Sequence, residues 1–149
     1  MVPCLVITVS DSLSYENDPA GQAIRSRLEA AGHGLLGYHL VPDDPMRLKA
    51  LLIGALGDHG IQAIVLSGGT STVDVVEGFL ERRLEGFGEL FRFLLFQEVG
   101  SSAVLARTLA GFHRGRVLIA LPEAVRAVEL AMDRLIAPEL VGMLAQARR

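Results

Sequence analysis

An apolar run that ends in Ser67-Gly68-Gly69-Thr70-Ser71 is the arrangement in this chain best suited to holding a phosphate. Two glycines let backbone amides approach a ligand with no Cβ in the way, and free amides opening a following helix favour negative charge. Asp11, Asp43, Asp44 and Asp74 fall at the ends of strand-like runs or the starts of helix-like ones. Beside a phosphate-sized cradle, such carboxylates suit Mg²⁺, a hard cation that takes oxygen ligands and bridges phosphates. Two plainer roles stay open: a Gly-Gly turn can be only a turn, and any single Asp here can be only a helix cap. Glu98 before Gly100-Ser101-Ser102 puts a carboxylate and hydroxyls at another helix start, where capping serves equally well. Gly-x4-Gly-Lys-Ser/Thr is absent, and no Gly-x-Gly-x-x-Gly follows the first strand-like run. His33, His39, His59 and His113 have no ligand spacing to each other or to Cys4, so they are expected on loops or the surface.

The elements that must carry these residues alternate. Val2–Val9, Leu35–Val41, Ile61–Leu66 and Arg116–Leu121 read as strands, the first, rich in β-branched residues, buried on both faces. Helices are expected from Asn17-Asp18-Pro19 to Gly32, from Asp43-Asp44-Pro45 with Leu48, Leu51, Leu52, Ala55 and Leu56 inward, and over Asp74–Gln97 with a break near Gly86 and Gly88. Further helices are expected over Ser101–Leu109, after Leu121, and from Pro138. Strand alternating with helix predicts a three-layer α/β/α sandwich around a mainly parallel sheet. Ligands in such folds bind beyond the carboxyl ends of the strands, which selects loops 10–18, 42–45, 67–74 and 121–124.

The 149 residues fit one domain over 1–149, and 50% apolar content excludes a largely disordered chain. With 14 basic against 17 acidic residues the net charge is −3, which gives no footprint for nucleic acid. No uncharged apolar run approaches the ~18 residues that cross a bilayer. The opening residues read as a strand with no basic leader, and the single Cys4 as a core residue in a reducing compartment, so a cytoplasmic protein is expected. Phe87–Phe96 carries Phe or Leu at most positions and leaves little polar face. Either the helix is deeply buried, or one of its faces is covered by another subunit.

In this order the motifs resemble the MoaB/MogA family of molybdenum cofactor biosynthesis, related to the gephyrin G domain. The matching pieces are Thr8-Val9-Ser10-Asp11, Asp18-Pro19-Ala20-Gly21, Ala31-Gly32-His33, Val41-Pro42-Asp43-Asp44 and Ser67-Gly68-Gly69-Thr70. They continue with Glu85-Gly86-Phe87-Gly88-Glu89-Leu90-Phe91-Arg92, Glu98-Val99-Gly100-Ser101-Ser102-Ala103, Ala110-Gly111, Leu121-Pro122 and Pro138-Glu139-Leu140. The resemblance implies a molybdopterin-binding homo-oligomer, a trimer or hexamer, that with Mg²⁺ and ATP transfers AMP onto the pterin phosphate and hands the product to a molybdenum insertase. No tightly bound cofactor is expected. By motif position Asp43 or Asp44 and Asp74 would be catalytic carboxylates, with Asp43 and Asp74 toward the metal. Ser67, Gly68, Gly69, Thr70 and Ser71 would cradle phosphate, and Ser10, Asp11, Glu98, Ser101, Ser102, Pro122 and Glu123 would wall the pocket.

Two loops depart from the family pattern. Gly-Gly-Thr-Gly with four residues before an Asp is here Gly68-Gly69-Thr70-Ser71-Thr72-Val73-Asp74, two residues shorter and with Ser71 in the last Gly position. Two residues are up to ~7 Å of reach. Leu-Pro-Gly-Ser/Asn-Pro is here Leu121-Pro122-Glu123-Ala124-Val125, and a Glu at that corner would repel an incoming anion. The alternative these departures raise is a catalytically degenerate paralogue that binds molybdopterin or a partner protein.

Overall fold

The computed structural model describes residues 1–149. Six strands make one sheet: β1 (Pro3–Val9), β2 (Gly34–Val41), β3 (Ala63–Gly68), β4 (Arg82–Arg83), β5 (Leu109–His113) and β6 (Arg116–Leu121). Their order is β2-β1-β3-β6-β5-β4, with β2, β1, β3 and β6 parallel and β5 antiparallel to both its neighbours. The helices are α1 (Pro19–Ala30), α2 (Pro45–Leu56), α3 (Thr72–Glu77), α4 (Glu85–Val99), α5 (Val125–Ala131) and α6 (Ala137–Ala147).

Alternation along the strands divides the core. Cys4, Val6, Val65 and Ile119 face one layer with residues of α1, α4, α5 and α6; Leu5, Ile7, Ile64, Leu66 and Leu118 face the other with α2 and α3. The three-layer sandwich is therefore as expected. From β1 the chain steps outward to β2, then returns past β1 to β3. That reversal puts the switch point, and so the natural crevice, at the carboxyl ends of β1 and β3.

Pro19 and Pro45 sit in the first turns of their helices, where a missing N–H costs no hydrogen bond. Asp18 caps α1 by accepting from the Gly21 amide at 3.0 Å and also accepts from the Tyr38 hydroxyl. Between α5 and α6 a π-helical turn, Met132–Ile136, runs into Pro138, whose ring removes a backbone donor from the helix.

Several expected elements move. Of the inward positions expected on α2, only Leu48 and Leu52 are fully buried; Leu51, Ala55 and Leu56 pack partly buried against that layer. The break expected near Gly86 and Gly88 lies earlier, because both glycines fit within the first turn of α4 and the chain unwinds over 78–84. The helix expected over Ser101–Leu109 is a 3₁₀ segment, Gly100–Leu105, followed by a loop and β5. β5 turns into β6 through Arg114 and Gly115, both at positive φ (47° and 76°), the conformation a two-residue hairpin needs.

His33 lies in the loop between α1 and β2, as expected, but is buried there, and its Nδ1 accepts from the Val2 amide at 3.1 Å. Burial, and then the charged amino terminus, hold this imidazole below its usual pKa. Cys4 is buried as expected, and burial pushes its thiol up to about 12. No helix is long and apolar enough to cross a membrane. On α4, Phe87, Phe91, Leu94 and Leu95 are buried, while Leu90, Phe93 and Phe96 are each more than half exposed.

Candidate active site

At the carboxyl ends of β1, β2 and β3 three loops are tied together by hydrogen bonds. Asp11 follows β1 and accepts through Oδ1 from the Asp43 amide at 2.9 Å. Asp43 follows β2, and both its carboxylate oxygens accept from the Thr70 amide at 3.1 Å. Thr70 lies in the turn after β3, so the chain of contacts crosses the switch point. The next carboxylate is spent differently: Asp44 caps α2, its Oδ1 accepting from the Met46 amide at 2.9 Å. Asp43, not Asp44, is the one that reaches the glycine turn.

That turn is glycine for a steric reason. Gly68 and Gly69 have φ of 81° and 78°, where a side chain is strained, and a Cβ on Gly68 would stand 2.5 Å from the Val9 carbonyl oxygen. A Cβ on Gly69 would collide with Val9 and Thr72. Ser71 has φ −116°, so its replacement of a glycine brings no backbone strain. One expectation needs correction: the turn is not a set of free amides, because the Asp43 carboxylate already takes the Thr70 N–H.

A cleft of about 350 Å³ opens on this turn. It is lined by Gly68, Gly69 and Thr70 on one side, Pro122 and Glu123 on a second, and Leu105–Arg107 on a third. Glu123 is exposed in that lining and precedes α5, which starts at Val125 with no side-chain cap. Asp74 and Ser71 open on a neighbouring pocket with Lys49. Asp74 meets Arg107 at 2.8 Å, and that guanidinium, chiefly by hydrogen bonding, holds the carboxyl below its usual pKa.

The other expected wall residues lie apart from this lining. Glu98 is held by Arg126 at 2.9 Å, which lowers its pKa, and Ser102 Oγ donates to the Val99 carbonyl. Ser101 is exposed on the 3₁₀ segment. It is the end of that segment, not Glu98–Ser102, that reaches the cleft. Ser10 Oγ accepts from the Ser12 and Leu13 amides at 3.1 Å and shapes the loop that carries Asp11. Ser67 is buried and pairs in register with Thr8 of β1; neither hydroxyl has a partner.

Arg107 is the functional candidate that motif reasoning passes over. Its signal is a single cation in a stretch whose pattern predicts a helix, which hides that the residue sits in the loop leading into β5. For metal, no three His, Cys, Asp or Glu side chains cluster. A resident cation cage is absent, whereas Mg²⁺ that arrives with a polyphosphate needs only one or two carboxylates, and Asp43 and Asp74 offer hard oxygen donors of that kind.

The sequence profile of a family described as a probable molybdopterin binding domain matches residues 5–141. Molybdenum cofactor biosynthesis protein B of Halalkalibacterium halodurans is 40% identical over 146 residues, 93% of this chain and 86% of that protein. A crystal structure of a molybdenum cofactor biosynthesis protein B superposes with a TM-score of 0.94 at 33% identity, covering 99% of this chain and 96% of that one. The tungsten cofactor synthesizing protein MoaB of Pyrococcus furiosus gives 0.90 at 31% identity, covering 100% and 98%.

Proposed function

We propose that this chain, which belongs to the molybdopterin-binding domain family of MoaB and MogA proteins and so to molybdenum cofactor biosynthesis, is a molybdopterin adenylyltransferase. In the reaction, an oxygen of the molybdopterin phosphate attacks the α-phosphorus of ATP. A new P–O–P bridge forms, the bond from the α-phosphorus to the bridging oxygen breaks, and pyrophosphate leaves with that electron pair. No protein nucleophile is needed, so the protein's task is to bring two polyanions together and to balance their charge.

The observation that supports this reading is the hydrogen-bonded crossing from Asp11 through Asp43 to Thr70, beside a cleft bounded by Arg107 and Pro122. Asp43 fixes the glycine turn by taking the Thr70 amide, the turn lets the phosphates approach its backbone with no Cβ in the way, and Arg107 offers positive charge at the rim. Asp43 and Asp74 would hold Mg²⁺ brought by the nucleotide. Mg²⁺ supplies neutralisation of the leaving pyrophosphate. ATP, molybdopterin, a cytoplasmic setting and delivery to a molybdenum insertase complete the reading. The exposed apolar face of Leu90, Phe93 and Phe96 supports assembly of copies into a trimer or larger homo-oligomer.

A second reading has its own observation. Glu123 adds an acidic residue to the lining of the cleft that holds the glycine turn, and Asp74 is already engaged. On that reading the protein binds molybdopterin or a partner and transfers nothing. One assay separates the two. Folded protein with molybdopterin, ATP and Mg²⁺ should release pyrophosphate; none, with an active control enzyme, leaves the binding protein.

A further inference from the structure

Three arginines gather beside the cleft. Arg83 of β4, Arg92 of α4 and Arg107 from the loop before β5 line a pocket of about 180 Å³ with Glu77 and Thr108. The pocket is not separate from the candidate site, because Arg107 and Val73 line both. Two of the three cations are already neutralised, Arg83 by Glu77 and Arg107 by Asp74 at 2.8 Å. Arg92 is different. It has no carboxylate within salt-bridge reach, and its Nε donates to the Ala106 carbonyl at 3.3 Å. Glu85 and Glu89 share an adjoining pocket with Arg83 and Arg92, and Thr108 Oγ1 is committed to the Ala120 carbonyl at 2.7 Å.

A protein of net charge −3 does not gather anions by its overall field, so any anion here must be drawn by local donors. Guanidinium is the side chain whose planar fork matches phosphate oxygens two at a time, and here an unpaired one stands beside one held by a single exposed carboxylate. We propose that Arg92 and Arg107 form a pyrophosphate subsite next to the transfer cleft, and that Asp74 controls it by occupying Arg107. The identity of the anion rests on the adenylyl-transfer reading; the subsite itself rests on the arginines.

Calorimetric titration of the intact protein with sodium pyrophosphate, without nucleotide, pterin or divalent cation and at fixed ionic strength, tests this. Asp74→Asn removes the competitor for Arg107 and should tighten pyrophosphate binding by about tenfold. Arg107→Ala placed on Asp74→Asn should abolish that gain. Arg107 is exposed on a loop, so its loss leaves the core intact. Arg92→Ala should weaken binding by about tenfold or more, and Arg92→Lys, which keeps charge but not the fork, should recover part of it. Binding unchanged by Asp74→Asn, or a gain that survives Arg107→Ala, overturns the proposal. Pyrophosphate binding with these signs but no turnover with molybdopterin and ATP keeps the subsite and refutes the transfer reading. Turnover in a protein whose pyrophosphate affinity ignores Arg92 and Arg107 does the reverse.

Discussion

The wall of the cleft at Thr70 is held from behind by the Asp11 and Asp43 carboxylates accepting from backbone amides, whereas the wall at Arg107 is held by ion pairs between exposed side chains, with Asp74 on the adjoining pocket. The first is tied to the ends of three strands and can move only if the loops between them move. The second can be opened by exchanging one charged partner for another, because exposed pairs bind weakly and are screened by salt. A site that must recognise one polyanion and release another can use both kinds: a fixed side to orient, and an exchangeable side to admit and discharge.

The largest expected effect falls on both walls alike. Asp43→Asn and Asp74→Asn should each lower pyrophosphate release with molybdopterin and ATP by about 10²–10³-fold, the scale of losing one oriented charge or donor at a reacting centre. A drop confined to one of them would show that only one wall takes part. Stability should separate the walls. Asp43→Ala frees the Thr70 N–H and should cost about 1 kcal/mol, a melting shift of roughly 2–4 °C for a domain of this size. Asp74→Ala should leave the melting temperature unchanged, since its pair is fully exposed; equal shifts in calorimetry would erase the distinction.

Glu123→Gln should tighten ATP binding by about threefold, the modest gain from removing one exposed like charge at the rim. Weaker binding would mean that the carboxylate contributes to holding the nucleotide. The smallest effect is a titration. The Arg107 guanidinium depresses the Asp74 pKa, so the ion pair is fully formed above the ordinary carboxylate range and is lost as pH falls through the lowered value. Carboxyl NMR should place the Asp74 midpoint below that of an unpaired Asp, and Arg107→Ala should return it to the ordinary range.

The contrast between the walls is also a contrast in what the sequence discloses. Pro19 and Pro45 at helix starts, β-branched strands and Gly68-Gly69 are local signals, and they disclose a mainly parallel sheet and the loops at its carboxyl edge, whereas the order of the strands depends on long-range pairing. Ser67-Gly68-Gly69-Thr70 could be named, but that Asp43 and not Asp44 meets it depends on which carboxylate the α2 cap consumes. The other side hides behind an error of period: the pattern predicts a helix over Ser101–Leu109 and no strand before Arg116, and without the antiparallel β5–β6 hairpin nothing brings Arg107 to Asp74. The Arg114-Gly115 turn carried the signal for it. Glu98 misled for the opposite reason, since motif position suggested a wall residue while its charge is consumed by Arg126 across α4 and α5.

The most direct test of the account is a crystal structure with molybdopterin, a non-hydrolysable ATP analogue and Mg²⁺. The account predicts phosphates between Gly68–Thr70 and Pro122–Glu123, with Asp43 still on its loop and Arg107 turned from Asp74 to an anion. Ligands bound elsewhere, or phosphates in this cleft with the Asp74–Arg107 pair intact and Arg92 untouched, would contradict it.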